Sequence, residues 1–190
     1  MKPVPQLIRA GLWSCTKGIG LERFELLRAA DEWILQGVII ALAENAATEV
    51  RYKIVCDKSW HTRRADVSLR DGGVERVLAI AVENGQWFEN GRVNKTVAGC
   101  VDIDLEWSPS TNTIPIRRLS LAVGQKSGPV AAAWVRFPKL RLQSLHQEYE
   151  RTSKQCYRYS SGGGAFVAEI TVDEESLALK YEGLWQRVEI

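Results

Sequence analysis

Apolar and polar positions alternate with a period of two along most of this chain, and the run Cys100–Trp107 shows it most cleanly. Val101, Ile103, Leu105 and Trp107 take one parity, and Cys100, Asp102, Asp104 and Glu106 the other. That is the pattern of a half-buried β-strand with a solvated face. Similar runs recur at Glu22–Arg28, Trp33–Leu42, Glu49–Cys56, Arg63–Leu69 and Val74–Val82, and again at Val130–Phe137, Cys156–Tyr159, Phe166–Val172, Leu177–Tyr181 and Leu184–Val188. Asp71-Gly72-Gly73, Asn84-Gly85 and Asn90-Gly91 supply the residues that tight hairpins need at positive φ. Leu21–Ala30 and the stretch holding Leu142, Leu145 and Tyr149 also fit helical spacing, but both are read as strands. One short helix is expected around Thr111–Leu119.

Many short strands without interleaved long helices predict a mostly β fold, a single antiparallel sheet. A sheet of about ten strands, each rotated by about 20° against its neighbour, must curl. The expected architecture is therefore a spiral β-roll or unclosed barrel spanning residues 1–190 as one domain. Trp33, Trp60, Trp87, Trp107, Trp134 and Trp185 fall at nearly regular spacing and are expected on the inward face, either as core or as the wall of an apolar hollow.

The segment after the Cys100 run, Ser108–Arg118, is polar and proline-punctuated, and it ends in two adjacent guanidinium groups, Arg117 and Arg118. Two readings stand side by side. The arginines pair with Asp102 and Asp104, or they form a fork for phosphate, sulfate or sugar hydroxyls.

Composition narrows the function classes. The net charge is +2, with 25 basic and 23 acidic residues mixed along the chain. No basic stripe of the kind that binds nucleic acid appears. The four cysteines, Cys15, Cys56, Cys100 and Cys156, form no Cys-x-x-Cys pair and read as thiols of a reducing, cytoplasmic compartment. Leu12-Trp13-Ser14-Cys15 loosely imitates a lipoprotein cleavage box, but Pro3, Pro5 and Arg9 stand where an apolar stretch would be needed. No window has the run of about 18 apolar residues that spans a membrane. No Gly-x-Ser-x-Gly elbow, His-Glu-x-x-His, phosphate loop or dinucleotide fingerprint occurs, so no catalytic residue, metal or cofactor is assigned. Asp102 and Asp104 lie about 6.6 Å apart along a strand, a separation at which two carboxylates can act on a glycosidic bond. A hydrolase working through that pair is the alternative to a binding protein, and an exposed sheet edge pairing with a second chain is a third reading.

Several blocks resemble a known family: Asp57-Lys58-Ser59-Trp60-His61-Thr62-Arg63, Asn84-Gly85-Gln86-Trp87, Gly99–Leu105, Ser108–Leu119, Trp134–Pro138, Gln147-Glu148-Tyr149 and Tyr157-Arg158-Tyr159. Together they are similar to the bacterial "putative glycolipid-binding" family over nearly the whole chain. That resemblance implies a β-roll like those of the periplasmic lipoprotein carriers, with an apolar hollow and a lipid or glycolipid ligand. The chain departs at Ser110 and Ser176, where the family usually carries an aromatic residue and a glycine. The residues expected to meet the ligand are Trp60, Arg63, Trp87, Asp102, Asp104, Trp107, Asn112, Arg117, Arg118, Tyr149 and Tyr159. The arginines would read the polar end, and Tyr149 and Tyr159 would stack on sugar.

Overall fold

A computed structural model describes residues 4–188. The strands are β1 (Gln6–Cys15), β2 (Gly20–Arg28), β3 (Glu32–Ala43), β4 (Ala46–Asp57), β5 (Thr62–Asp71), β6 (Val74–Glu83), β7 (Gln86–Glu89), β8 (Arg92–Val93) and β9 (Asp102–Leu105). After the helix α1 (Thr113–Leu119) come β10 (Val130–Arg136), β11 (Arg141–Arg151), β12 (Cys156–Ser161), β13 (Phe166–Val172), β14 (Ala178–Tyr181) and β15 (Trp185–Arg187).

All 15 strands form one curled, unclosed sheet in the order β8-β7-β6-β5-β4-β3-β2-β1-β15-β14-β13-β12-β11-β10-β9. The chain enters at the centre of the sheet and steps outward by hairpins to β8. It then crosses to the opposite edge at β9 and steps back until β15 pairs with β1, Trp13 opposite Arg187. Neighbours are antiparallel except β9 and β10, which run parallel with Asp102 opposite Ala132. Parallel neighbours need a crossover connection, and residues 106–129, carrying α1, supply it.

The hairpin turns follow the sequence reading. Gly72-Gly73, Asn84-Gly85 and Asn90-Gly91 all hold positive φ at both positions, and so does Glu44-Asn45, which the turn signals did not mark. Leu21–Ala30 and the Leu142–Tyr149 stretch are strands. Curling brings the two sheet edges within reach of each other: the Ile103 amide donates to Thr62 Oγ1 at 3.2 Å, and Trp87 Nε1 donates to the Cys100 carbonyl at 2.8 Å. These are single contacts rather than a ladder, so the roll stays open.

Two expectations about the central block need correction. Only Asp102–Leu105 is strand, and its acidic face is not a solvated one: Asp102 is 1% exposed and Asp104 half-buried, while Ile103 on the other parity is also 1% exposed. The expected helix region is a 3-10 turn at Pro109–Asn112 running into α1, and this segment turns inward. Residues 108–116 are all buried, so the roll is partly filled by its own crossover.

Candidate functional site

The inserted segment is built for burial. The Ser108 hydroxyl caps the 3-10 turn by accepting from the Ser110 amide at 3.1 Å, with Pro109 at the first position, where its missing N–H costs nothing. Ile114 and Ile116 enter the core. Successive helical residues point about 100° apart, so the two adjacent arginines diverge. Arg118 makes a bidentate pair with Asp102 at 2.8 and 2.7 Å. Arg117 pairs with the Glu175 carboxylate, donates to the Glu175 carbonyl at 3.0 Å, and lies over the stacked Trp33 and Trp60 rings at 5.7 and 5.4 Å. The first of the two readings of this pair therefore holds for Arg118, while Arg117 finds a different carboxylate from the one expected.

Between this insert and β9–β15 lies a cavity of about 410 Å³, the size range of small-ligand sites. Its lining is largely apolar and aromatic, with Trp134, Leu145, Phe166, Tyr181, Leu184 and Trp185. Polar groups are interleaved with these: Asp104, Glu106, Ser108, Asn112, Tyr159 and Ser161, with Asp104 opposite Trp134 and Ser161 opposite Phe166 in the sheet. A larger groove of about 720 Å³ runs on the outer surface past His146, Glu148 and Arg158. Its lining is mostly charged and polar and carries no Phe, Tyr or Trp, and its Lys126 is held by Glu148 at 2.7 Å, so the aromatic-lined cavity is the better candidate.

The polar groups are tightly organised. Asp104 accepts from Gln147 Nε2, and Gln147 Oε1 faces the Tyr149 hydroxyl at 3.4 Å. That hydroxyl donates to Asn112 Oδ1 at 3.0 Å. Burial raises the Asp104 carboxyl to about 6 despite the Gln147 hydrogen bond, with Glu106 and Asp102 adding to the rise. Burial also pushes the Tyr159 and Tyr149 phenols above the ordinary tyrosine range. Glu106 is engaged outward, accepting from Arg136 at 3.2 Å and from the Phe137 amide at 2.8 Å.

Behind Ser108 sits a second polar group that the sequence reading did not name. Glu22 of β2 is fully buried, and its Oε1 accepts from Tyr52 at 2.5 Å and from Ser108 at 2.7 Å. Ser110 closes the network, 2.5 Å from Ser108 and 2.9 Å from Tyr52. Glu22 Oε2 has no partner among the described residues. Burial raises this carboxyl to about 8, against the lowering effect of its three hydroxyl neighbours. The available signal was parity, because Glu22 shares its strand face with Phe24 and Leu26, both fully buried.

Of the residues expected to meet a ligand, the fold gathers Asp104, Asn112 and Tyr159 on the cavity, with Tyr149 one hydrogen bond behind. Asp102 and Arg118 form the adjoining ion pair. The others lie elsewhere. Trp60 stacks on Trp33 at 4.8 Å, exposed Arg63 pairs with Asp57 at 2.7 Å, Trp87 is held in the core, and Trp107 packs on Phe137. Among the tryptophans, Trp134 and Trp185 line the cavity.

The family model described as "Putative glycolipid-binding" matches residues 11–187. The chain belongs to this family. Its fold is similar to the crystal structure of a DUF1089 family protein from Pseudomonas aeruginosa, with a TM-score of 0.79 and 32% identity over 88% of this chain and 92% of that one. No curated protein matches the chain significantly. Membership agrees with the curled sheet and with the resemblance carried by the Gly99–Leu119 region. No helix among the described residues is long and apolar enough to cross a membrane.

Proposed function

We propose that this chain is a binding protein that shelters part of a lipid or glycolipid in the cavity between the crossover segment and β9–β15. The observation that carries the reading is one cavity whose lining combines aromatic and aliphatic side chains with hydrogen-bonding groups. Such a space suits an amphipathic ligand, because each buried methylene contributes about 0.8 kcal/mol while the polar end keeps its hydrogen bonds. The family description points the same way. Binding is favoured over hydrolysis because Asp102, the second carboxylate a glycosidase would need, is held by both donors of Arg118. Four cysteines free of disulfides support a reducing compartment such as the cytoplasm.

Native mass spectrometry of freshly purified protein is expected to show a retained lipid. Acyl-chain ligands are expected to change tryptophan fluorescence saturably through Trp134 and Trp185. Protein that carries no lipid and shows no saturable response to alkyl glycosides or fatty acyl probes would remove the reading.

A further inference from the structure

The cavity holds one carboxylate whose hydrogen bonding is incomplete. Asp104 Oδ2 accepts from Gln147, while Oδ1 makes no hydrogen bond among the described residues, and the side chain lines the cavity. None of the residues lining this space is a lysine, arginine or histidine. The nearby guanidinium groups are already engaged, Arg118 by Asp102 and Arg136 by Glu106. We infer that the ligand head seated against the polar lining is uncharged and rich in hydroxyls, and that phosphate, sulfate and carboxylate heads are excluded. This rests on the binding reading above and specifies the chemistry of the same site.

The physical case has three parts. An anionic head would be brought beside the half-buried Asp104 carboxylate with no lining cation to offset either desolvation or repulsion. A sugar hydroxyl would instead donate to Asp104 Oδ1, a charge-assisted bond stronger than a neutral one. The Glu106 carboxylate is already taken up by Arg136 and the Phe137 amide, and other polar lining groups are neutral: Asn112 Nδ2 has only a long 3.4 Å contact to the Pro109 carbonyl, and Ser161 offers a hydroxyl. A hydroxyl can both donate to and accept from such groups, whereas an ammonium only donates. The lining rings of Phe166, Tyr181 and Trp185 give the apolar face of a sugar or the first methylenes of its chain a surface to cover.

The test holds the tail constant and varies the head. Octyl glucoside, octyl sulfate and octylammonium are titrated below their micellar concentrations at about neutral pH, with affinity read by calorimetry and tryptophan fluorescence. Octyl glucoside is expected to bind at least about tenfold more tightly than either charged ligand. Asp104→Asn is expected to weaken the glucoside by about tenfold and to shrink its advantage over the sulfate. Thermal unfolding of the variant checks that it is folded. Octyl sulfate or octylammonium binding as tightly as the glucoside would overturn the inference and leave the binding reading standing. Saturation by none of the three would instead remove the binding reading itself.

Discussion

Glu22→Gln is expected to stabilise the protein, although it removes a hydrogen-bonded side chain from the interior. The carboxyl titrates near 4.5 when free and at about 8 when folded. Its folded value is raised, so the stability it permits is present in full below about pH 4.5 and is lost as pH climbs through about 8. At pH 7 the unfolded chain has released this proton and the folded chain has kept it, a difference of roughly 3 kcal/mol against folding, growing to about 5 kcal/mol above pH 9. Glutamine preserves the Oε1 acceptor for Tyr52 and Ser108 and places an amide where Oε2 already lacks a partner. The variant should therefore gain up to about 3 kcal/mol near neutrality and nothing below about pH 4.5. Urea unfolding at about pH 5, 7 and 9, followed by tryptophan fluorescence, gives the difference between variant and wild type. Other titrating groups, Asp104 included, cancel in that difference. A difference that stays flat with pH, or a variant less stable at every pH, would refute the assignment of a neutral, desolvated Glu22.

Three further substitutions test the frame around the cavity. Arg118→Ala should lose about 3 kcal/mol in chemical denaturation by stranding buried Asp102, and adding Asp102→Ala should recover part of that loss; additive losses would deny the coupling. Gly37→Ala should lose about 1–3 kcal/mol by overpacking, since a Cβ there would lie 2.6 Å from both the Arg23 carbonyl and the Tyr52 hydroxyl; an unchanged urea midpoint would contradict the packing. Ser176 sits at φ 61, so Ser176→Gly should gain about 1 kcal/mol by relieving left-handed strain, read as a rise in melting temperature.

The fold was legible where a local rule decides it. Asn84-Gly85 and Asn90-Gly91 announce two-residue hairpins, and period-two runs locate most of the longer strands and the need to curl, but about ten strands were expected and fifteen form, with β1 and the short β7 and β8 outside the runs that were read. Glu44-Asn45 gave no such notice because glutamate is a poor marker of positive φ, yet Ala43 and Ala46 still pair across it. The parallel β9–β10 pair was hidden because direction is set by the crossover rather than by alternation. The site was legible only in part. Asp102 and Asp104 occupy the parity of a solvated face, and a strand alone does not reveal that Arg118 and Gln147 arrive later in the chain to receive them indoors. Arg117 and Arg118, adjacent in sequence, suggested a single fork, but α1 sends them to opposite partners. Ser176 is the reverse case. It stands where the resemblance implied a glycine, a departure read only as a change at a turn, and its φ of 61 shows a left-handed position that glycine would occupy more easily.

The crossover determines what the roll can hold. The interior of the roll is partly filled, because Ser108–Leu119 enters it and is fastened at several points: Ser108 and Ser110 to Glu22 and Tyr52, Thr113 to the Ser176 carbonyl, Arg118 to Asp102 and Arg117 to Glu175. These anchors span β2, β4, β9 and the β13–β14 connection, so the insert cannot shift without breaking contacts to both halves of the sheet. On its cavity side, the chain from Asn112 through Tyr149 and Gln147 to Asp104 orients two side-chain amides and a carboxylate before any ligand arrives. Polar groups ordered in advance spare a ligand the cost of ordering them, so under the proposed binding role selectivity should reside in the head that meets them, while the aromatic lining is non-directional. The raised carboxyl of Glu22 follows from the same construction, since the hydroxyls that hold the insert in place converge on a carboxyl group sealed from water.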